Sequence, residues 1–122
     1  MSIELILKGE PKSTSHIYKV SCRGKYAGVY MSATGKSIKL SYQWQAKSQY
    51  KGKPIEGDLE VWIELFFGTK RKADWDNFNK LIMDALTGIV WVDDSQIKLA
   101  TIQIMPVDKI NPRIEILIDK LI

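Results

Sequence analysis

Two aspartates one residue apart, Asp74 and Asp76, directly follow the basic run Lys70, Arg71 and Lys72, and Lys80 stands four residues further on. A second acidic pair, Asp93 and Asp94, follows in the stretch WVDDSQ. A hard cation such as Mg2+ prefers carboxylate and water oxygens to imidazole or thiolate, and it keeps several waters when it acts on phosphates. Asp74, Asp76 and one of Asp93 or Asp94 make a candidate ligand set of that kind. The neighbouring basic residues would offset repulsion between such a cluster and a phosphodiester. In metal-assisted phosphodiester hydrolysis the cation activates water and neutralises developing charge, and an ammonium can stabilise the transition state or the leaving oxygen. Lys80 is assigned that role. With one His and one Cys in the chain, a closed structural zinc site is excluded. No Ser/His/Asp arrangement, phosphate-binding glycine loop or CxxC motif offers another chemistry.

The same residues admit plainer readings. Asp76 could cap a helix, with Lys80 pairing with Asp76 and Asp84 at i,i+4 spacing for only tenths of a kcal/mol. Asp93 and Asp94 could form a turn before a strand. A non-catalytic nucleic-acid-binding protein of the same fold would use the basic residues alone and show salt-sensitive binding without a product. A hydrolase of small phosphates would need a closed pocket, of which the sequence gives no sign. The catalytic reading is favoured by Asp74, which a cap does not need, and by the second acidic pair.

These residues must be positioned by elements legible in the pattern. Ile3, Leu5 and Leu7 alternate as in a strand that stops at Gly9 and Pro11. The next segment is polar and aromatic, with a short hairpin expected around Tyr18 to Tyr30. Three- and four-residue spacing from Thr34 to Tyr50 predicts a helix closed by Gly52 and Pro54. LEVWIELFF alternates strictly, with Leu59, Val61, Ile63, Leu65 and Phe67 on one face and Glu60, Trp62, Glu64 and Phe66 on the other. A second helix is expected from Asp76 to Thr87, stopped by Gly88, with Phe78, Leu81, Ile82, Ala85 and Leu86 facing the sheet. On that helix Asp76, Lys80 and Asp84 would share the solvent face. Strands near Lys98 to Met105 and Arg113 to Asp119, joined by MPVDKINP, read as a C-terminal hairpin. The expected fold is α+β: one domain over residues 1–122, a mixed sheet of about four strands, and two helices on one face.

Composition agrees with one globular domain, since 122 residues can bury a core without disulfides or structural metal. The start, MSIELILKGE, lacks a basic n-region and reads as a strand rather than a signal peptide. No apolar run approaches the roughly 20 residues of a membrane span. The lone Cys22 fits a reducing compartment, so a cytoplasmic location without membrane contact is expected. His16 reads as a surface or satisfied histidine rather than a ligand. The net charge is +4, with basic residues grouped at Lys19 to Lys25, Lys47 to Lys53 and Lys70 to Lys72, a distribution that can attract polyanions.

Asp74-Trp-Asp76-Asn77-Phe-Asn-Lys80, then Asp84-Ala-Leu-Thr, then Trp91-Val-Asp93-Asp94-Ser-Gln96, resembles the RusA family of Holliday junction resolvases. The likeness is close from about Lys70 to Ile104 and looser in GEPKSTSHIYK and GVYMSATGKSIK. It implies a small homodimeric, Mg2+-dependent endonuclease, with Mn2+ as an alternative metal, that cuts four-way DNA junctions by paired symmetric nicks. Such proteins serve DNA recombination and repair and are often encoded by prophages. Carried over by position, the catalytic and metal-binding acids are Asp74, Asp76 and Asp94, with Lys80 as the essential lysine. Lys70, Arg71 and Lys72 are the expected DNA-binding residues, and Asp93 is expected to be a turn residue. Asn77 would support the helix start and Asp84 would pair with Lys80. Trp62 and Phe66 are candidates for the dimer surface, and Trp75 is a candidate DNA contact.

Overall fold

The protein is described by a computed structural model covering residues 2–13, 18–23 and 26–121. The histidine expected at the surface, His16, lies outside the described residues. The elements run β1 (Ser2–Lys8), β2 (Tyr18–Arg23), β3 (Tyr26–Met31), α1 (Ala33–Gln49), β4 (Leu59–Phe66), α2 (Asn79–Leu86), β5 (Ile97–Ile104) and β6 (Arg113–Lys120). Single 3-10 turns at Trp75–Asn77 and Asp94–Gln96 flank α2. β2 and β3 form a separate antiparallel pair, as the sequence predicts.

The main sheet has the order β1-β6-β4-β5. Its core follows from the two strictly alternating strands. Leu59, Val61, Ile63 and Leu65 of β4 and Ile114, Ile116 and Ile118 of β6 point to one face and are buried, joined there by Leu5 and Leu7 of β1. From α2, Leu81, Ile82, Ala85 and Leu86 cover that face, and from α1, Tyr42 and Ala46. The α+β architecture with two helices on a four-stranded mixed sheet matches the reading from sequence.

The last two strands do not form the expected hairpin. β4 lies between them, antiparallel to β6 and parallel to β5. The most apolar strand takes a central place, where it pairs on both sides, and the eight residues 105–112 are long enough to cross it. That crossing is clipped to the end of β4: Met105 N–H donates to Leu65 O and Asp108 N–H to Phe67 O, both at 2.9 Å. Arg113 closes it with ion pairs to Asp108 and Glu115 at 2.8 Å. The Arg113 guanidinium also lies 3.8 Å from the centre of the Phe66 ring, so Phe66 is engaged within the chain.

The two edges of the sheet differ. α1 starts with Ser32 Oγ accepting from Gly35 N–H and runs beside β1. Gln49 accepts from Ile6 N–H and donates to Ile6 O, both at 2.7 Å, and Gln45 accepts from Lys8 N–H at 2.6 Å. The two amides thus stand in for a neighbouring strand. β5, at the other edge, has no strand beyond it among the described residues.

Candidate active site

The acidic turn is built on the end of β4. Phe67, at the end of the alternating run, is buried and meets Phe78 edge to face with centroids 5.4 Å apart. Such a pair adds about 0.5–1.5 kcal/mol to the burial of the rings themselves. Arg71 lies over both, at 4.4 Å from the Phe67 ring and 5.9 Å from Phe78, and donates to Pro11 O at 3.2 Å. Arg71 therefore braces the segment that leads into the acids, and it is exposed, as are Lys70 and Lys72 beside it.

Between that brace and Phe78 the chain makes the Trp75–Asn77 turn, with Asn77 N–H donating to Asp74 O at 3.1 Å. The expected helix start at Asp76 is displaced to Asn79, and no side chain caps α2. Phe78 must reach the core against Phe67, and a helix running unbroken from Asp76 would have to give up the tight turn that allows this. Asp74, Trp75 and Asp76 are all exposed, and the Asp74 and Asp76 carboxylates make no hydrogen bond or ion pair among the described residues. Trp75 is 57% exposed, whereas Trp91 is fully buried with its Nε1 donating to Thr87 Oγ1. Lys80 sits in the first turn of α2 and its Nζ lies 3.4 Å from Asp84 Oδ2, as expected for that pair.

The second acidic pair is held differently. Asp93 caps the Asp94–Gln96 turn: its carboxylate accepts from the Ser95 hydroxyl and, at 3.3 Å, from the Ser95 N–H. Those two donors hold the Asp93 carboxyl below the usual carboxylate range. Gln96 reciprocates, its Oε1 accepting from Val92 and Asp93 N–H at 2.9 Å and its Nε2 donating to Ile55 O and Gly57 O at 2.8 Å. The D-x-x-Q spacing of Asp93 and Gln96 is the signal in the sequence for this capping box. Asp93 is thus the turn residue it was expected to be, and Asp94 stays exposed and outside the network.

Where the two acidic turns lie follows from topology. Phe78 ties Asp76 to the Phe67 end of β4, and α2 then runs back toward Ile55 and Trp91. The Asp94–Gln96 turn is fastened to Ile55 and Gly57 and leads into β5 opposite Leu59, at the other end of β4. Eight strand residues lie between, so the two turns of one chain are separated by roughly 20 Å. The structure brings Asp74, Asp76 and Lys80 to one end and puts Asp94 at the other. Among the described residues no three His, Cys, Asp or Glu side chains gather closely enough to hold a metal ion.

The family profile described as Endodeoxyribonuclease RusA matches residues 8–119, nearly the whole chain. No curated protein matches it.

Proposed function

Because the chain belongs to the RusA endodeoxyribonuclease family, a family of nucleases that resolve Holliday junctions, we propose that it is a Mg2+-dependent enzyme. In this reading it resolves four-way DNA junctions by paired, symmetric phosphodiester hydrolysis. Asp74, Asp76 and Asp94 are the acids that hold the cation, Lys80 is the catalytic ammonium, and the working unit is a homodimer, since within one chain Asp94 lies too far from the other two to share their cation. The observation that carries the reading is the pair of exposed carboxylates, Asp74 and Asp76, on a turn braced by Phe78 and Arg71 and followed one helical turn later by Lys80.

The donor chemistry fits a hard divalent cation: carboxylate oxygens only, exposed, and not consumed by other partners. When bound, the cation supplies Lewis-acid stabilisation of the charge that develops on the phosphate. Mn2+ satisfies the same oxygen donors. The chain's own part is positional and electrostatic. Asp74 and Asp76 are set by the turn, the Phe67–Phe78 contact keeps that turn in register with β4, and the Lys80 ammonium neutralises charge on the leaving oxygen. Lys70 and Lys72 attract the backbone of branched DNA, and Arg71 holds their segment in place.

Paired cuts on strands related by two-fold symmetry call for two sites related in the same way, which a symmetric dimer provides. No helix among the described residues is long and apolar enough to cross a membrane, in keeping with a cytoplasmic role in recombination, repair or prophage DNA processing. A labelled four-way junction, compared with duplex and flap DNA in Mg2+, tests the reading. The expected result is symmetric nicking of the junction alone, abolished by Asp76→Asn with binding retained. Normal cutting by Asp76→Asn would overturn the assignment of the site.

A further inference from the structure

Charge is unevenly distributed along this chain. Residues 11–55 contain nine Lys and Arg and no Asp or Glu, whereas the remaining residues hold nine Lys and Arg against all fourteen acids. α1 lies within the acid-free stretch. At about 100° per residue, Lys36, Leu40, Trp44 and Lys47 share an arc of about 80° on the side away from the buried Tyr42 and Ala46. Trp44 is 67% exposed and Leu40 55%, and the Lys47 ammonium stands 5.9 Å from the centre of the Trp44 ring. Lys51 and Lys53 continue the row beyond the helix, and both are exposed. None of Lys36, Lys47, Lys51 and Lys53 makes an ion pair with an acid among the described residues. A helix face that serves only solvation mixes both signs and gains from i,i+4 pairs. This one carries a single sign and keeps two large apolar side chains in water, which adds nothing to the fold.

The direction of α1 ties that face to the acidic turn. Gln45 bonds to Lys8 and Gln49 to Ile6, so α1 runs antiparallel to β1 and its part from Ala33 to Trp44 extends beyond Lys8. At that end Gly9 N–H donates to Pro112 O, the Glu10 carboxylate accepts from Gly68 N–H, and Pro11 O accepts from Arg71. The row from Lys36 to Lys53 thus starts at the end of the sheet that carries Asp74 and Asp76, and leads away from it.

We propose that the outer face of α1 binds an unpaired DNA strand, with the Trp44 ring stacked on a base, Leu40 against the neighbouring sugar, and Lys36, Lys47 and Lys51 neutralising successive phosphates. The chemistry of the face selects this occupant. Lysines alone would serve a duplex, whose base faces are taken by their neighbours and which offers only phosphates and groove edges. An exposed aromatic ring among cations serves a strand whose base faces are open. The inference takes DNA as the ligand from the reading above and uses none of its catalytic assignments. It extends the DNA held by the chain to branched molecules with a single-stranded tail or gap beside the branch.

Fluorescence anisotropy of a labelled oligothymidylate and of a labelled duplex of the same length, both in EDTA so that nothing is cut, provides the test. The unsubstituted protein should bind the oligothymidylate. Trp44→Ala should weaken that binding about ten-fold, as expected for one lost stacked base, and Trp44→Phe should restore most of it. Thermal denaturation of Trp44→Ala should match the parent, so that a loss of affinity is not a loss of fold. Lys36→Ala and Lys51→Ala should each lower the slope of log affinity against log salt by about 0.7. Oligothymidylate binding that is absent from the unsubstituted protein, or unaltered by Trp44→Ala, overturns the proposal. Equal weakening on duplex and oligothymidylate makes the face a contact for the sugar-phosphate backbone alone and overturns the assignment to an unpaired strand. Loss of binding to anionic phospholipid vesicles in Trp44→Ala, with oligothymidylate binding intact, gives the face to a lipid surface instead. Failure of the nuclease reading appears separately, as absence of cutting in Mg2+, and leaves these readouts as they are.

Discussion

At the β1 edge, the amides of Gln45 and Gln49 reach from α1 to the main-chain groups of Ile6 and Lys8, whereas among the described residues no strand pairs with the outer side of β5. Both strands are of similar length and both flank a well-packed centre, so the difference does not come from the core. It comes from what lies alongside. A glutamine amide presents a donor and an acceptor side by side, as a peptide group does, and two of them four residues apart on a helix match alternate residues of a strand. Among the described residues this means of closing an edge is applied to β1 and not to β5. An edge left unguarded in a protein that guards the other is available for recognition.

The comparison can be tested from its firmer side first. Tyr42, on the buried face of α1, has its hydroxyl pushed up to about 12 by burial, from an ordinary value of 10.0. A group whose folded value is raised contributes stability that is fully present below the unfolded value and is lost as pH rises through the folded one. Two pH units correspond to about 2–3 kcal/mol, so that much stability should disappear between pH 10 and pH 12. Urea titrations across that range should show the loss in the unsubstituted protein but not in Tyr42→Phe. Equal slopes would mean that α1 is not held as described.

The next effect is smaller. Replacing Gln45 and Gln49 together with leucine leaves the outward groups of β1 to water, at a cost of about 1–2 kcal/mol given their exposure. It should also make β1 adhesive, seen as new self-association in sedimentation. A variant as stable and as soluble as the parent would show that the amides do not matter to that edge.

On the open side, Ala100→Pro should change the stability of dilute protein by less than about 1 kcal/mol, since proline is tolerated where a strand's N–H faces outward. A larger loss by thermal denaturation would place that N–H in the ladder with β4. The smallest effect concerns Asp93, whose carboxyl is held low by the Ser95 hydroxyl and amide. Its contribution is present above the ordinary carboxylate value and is lost as pH falls through the depressed one. Asp93→Asn should therefore soften only the acid limb of the stability profile, and an unaltered acid midpoint would show that the cap does not steady the entry to β5.

Much of this was readable in the chain before folding. Strict alternation over Leu59 to Phe67 defined β4 because a half-buried strand has no other way to arrange its side chains. The apolar positions of α2 are equally direct, and the spacing of Asp74, Asp76 and Lys80 carried the chemistry. α2 starts at Asn79 rather than at the expected Asp76, because periodicity records which residues share a face and not where a tight turn intervenes to seat Phe78. The hairpin between the last two strands failed because adjacency in sequence says nothing about which strand the core draws to the middle. Nothing local to Gln45 and Gln49 signals their contact with β1, since their partners are 37 and 43 residues away. The position of Asp94 at the far end of the sheet was illegible for a similar reason. It depends on β5 running parallel to β4, a relation that no local pattern encodes.

α2 has a role beyond covering the sheet. Eight residues of rigid helix separate the brace at Phe78 from the segment leading to Trp91 and Gln96, so the helix is a ruler between the two acidic turns. Adding one helical turn would lengthen it by about 5.4 Å and change the spacing of the two acidic turns while every strand kept its place.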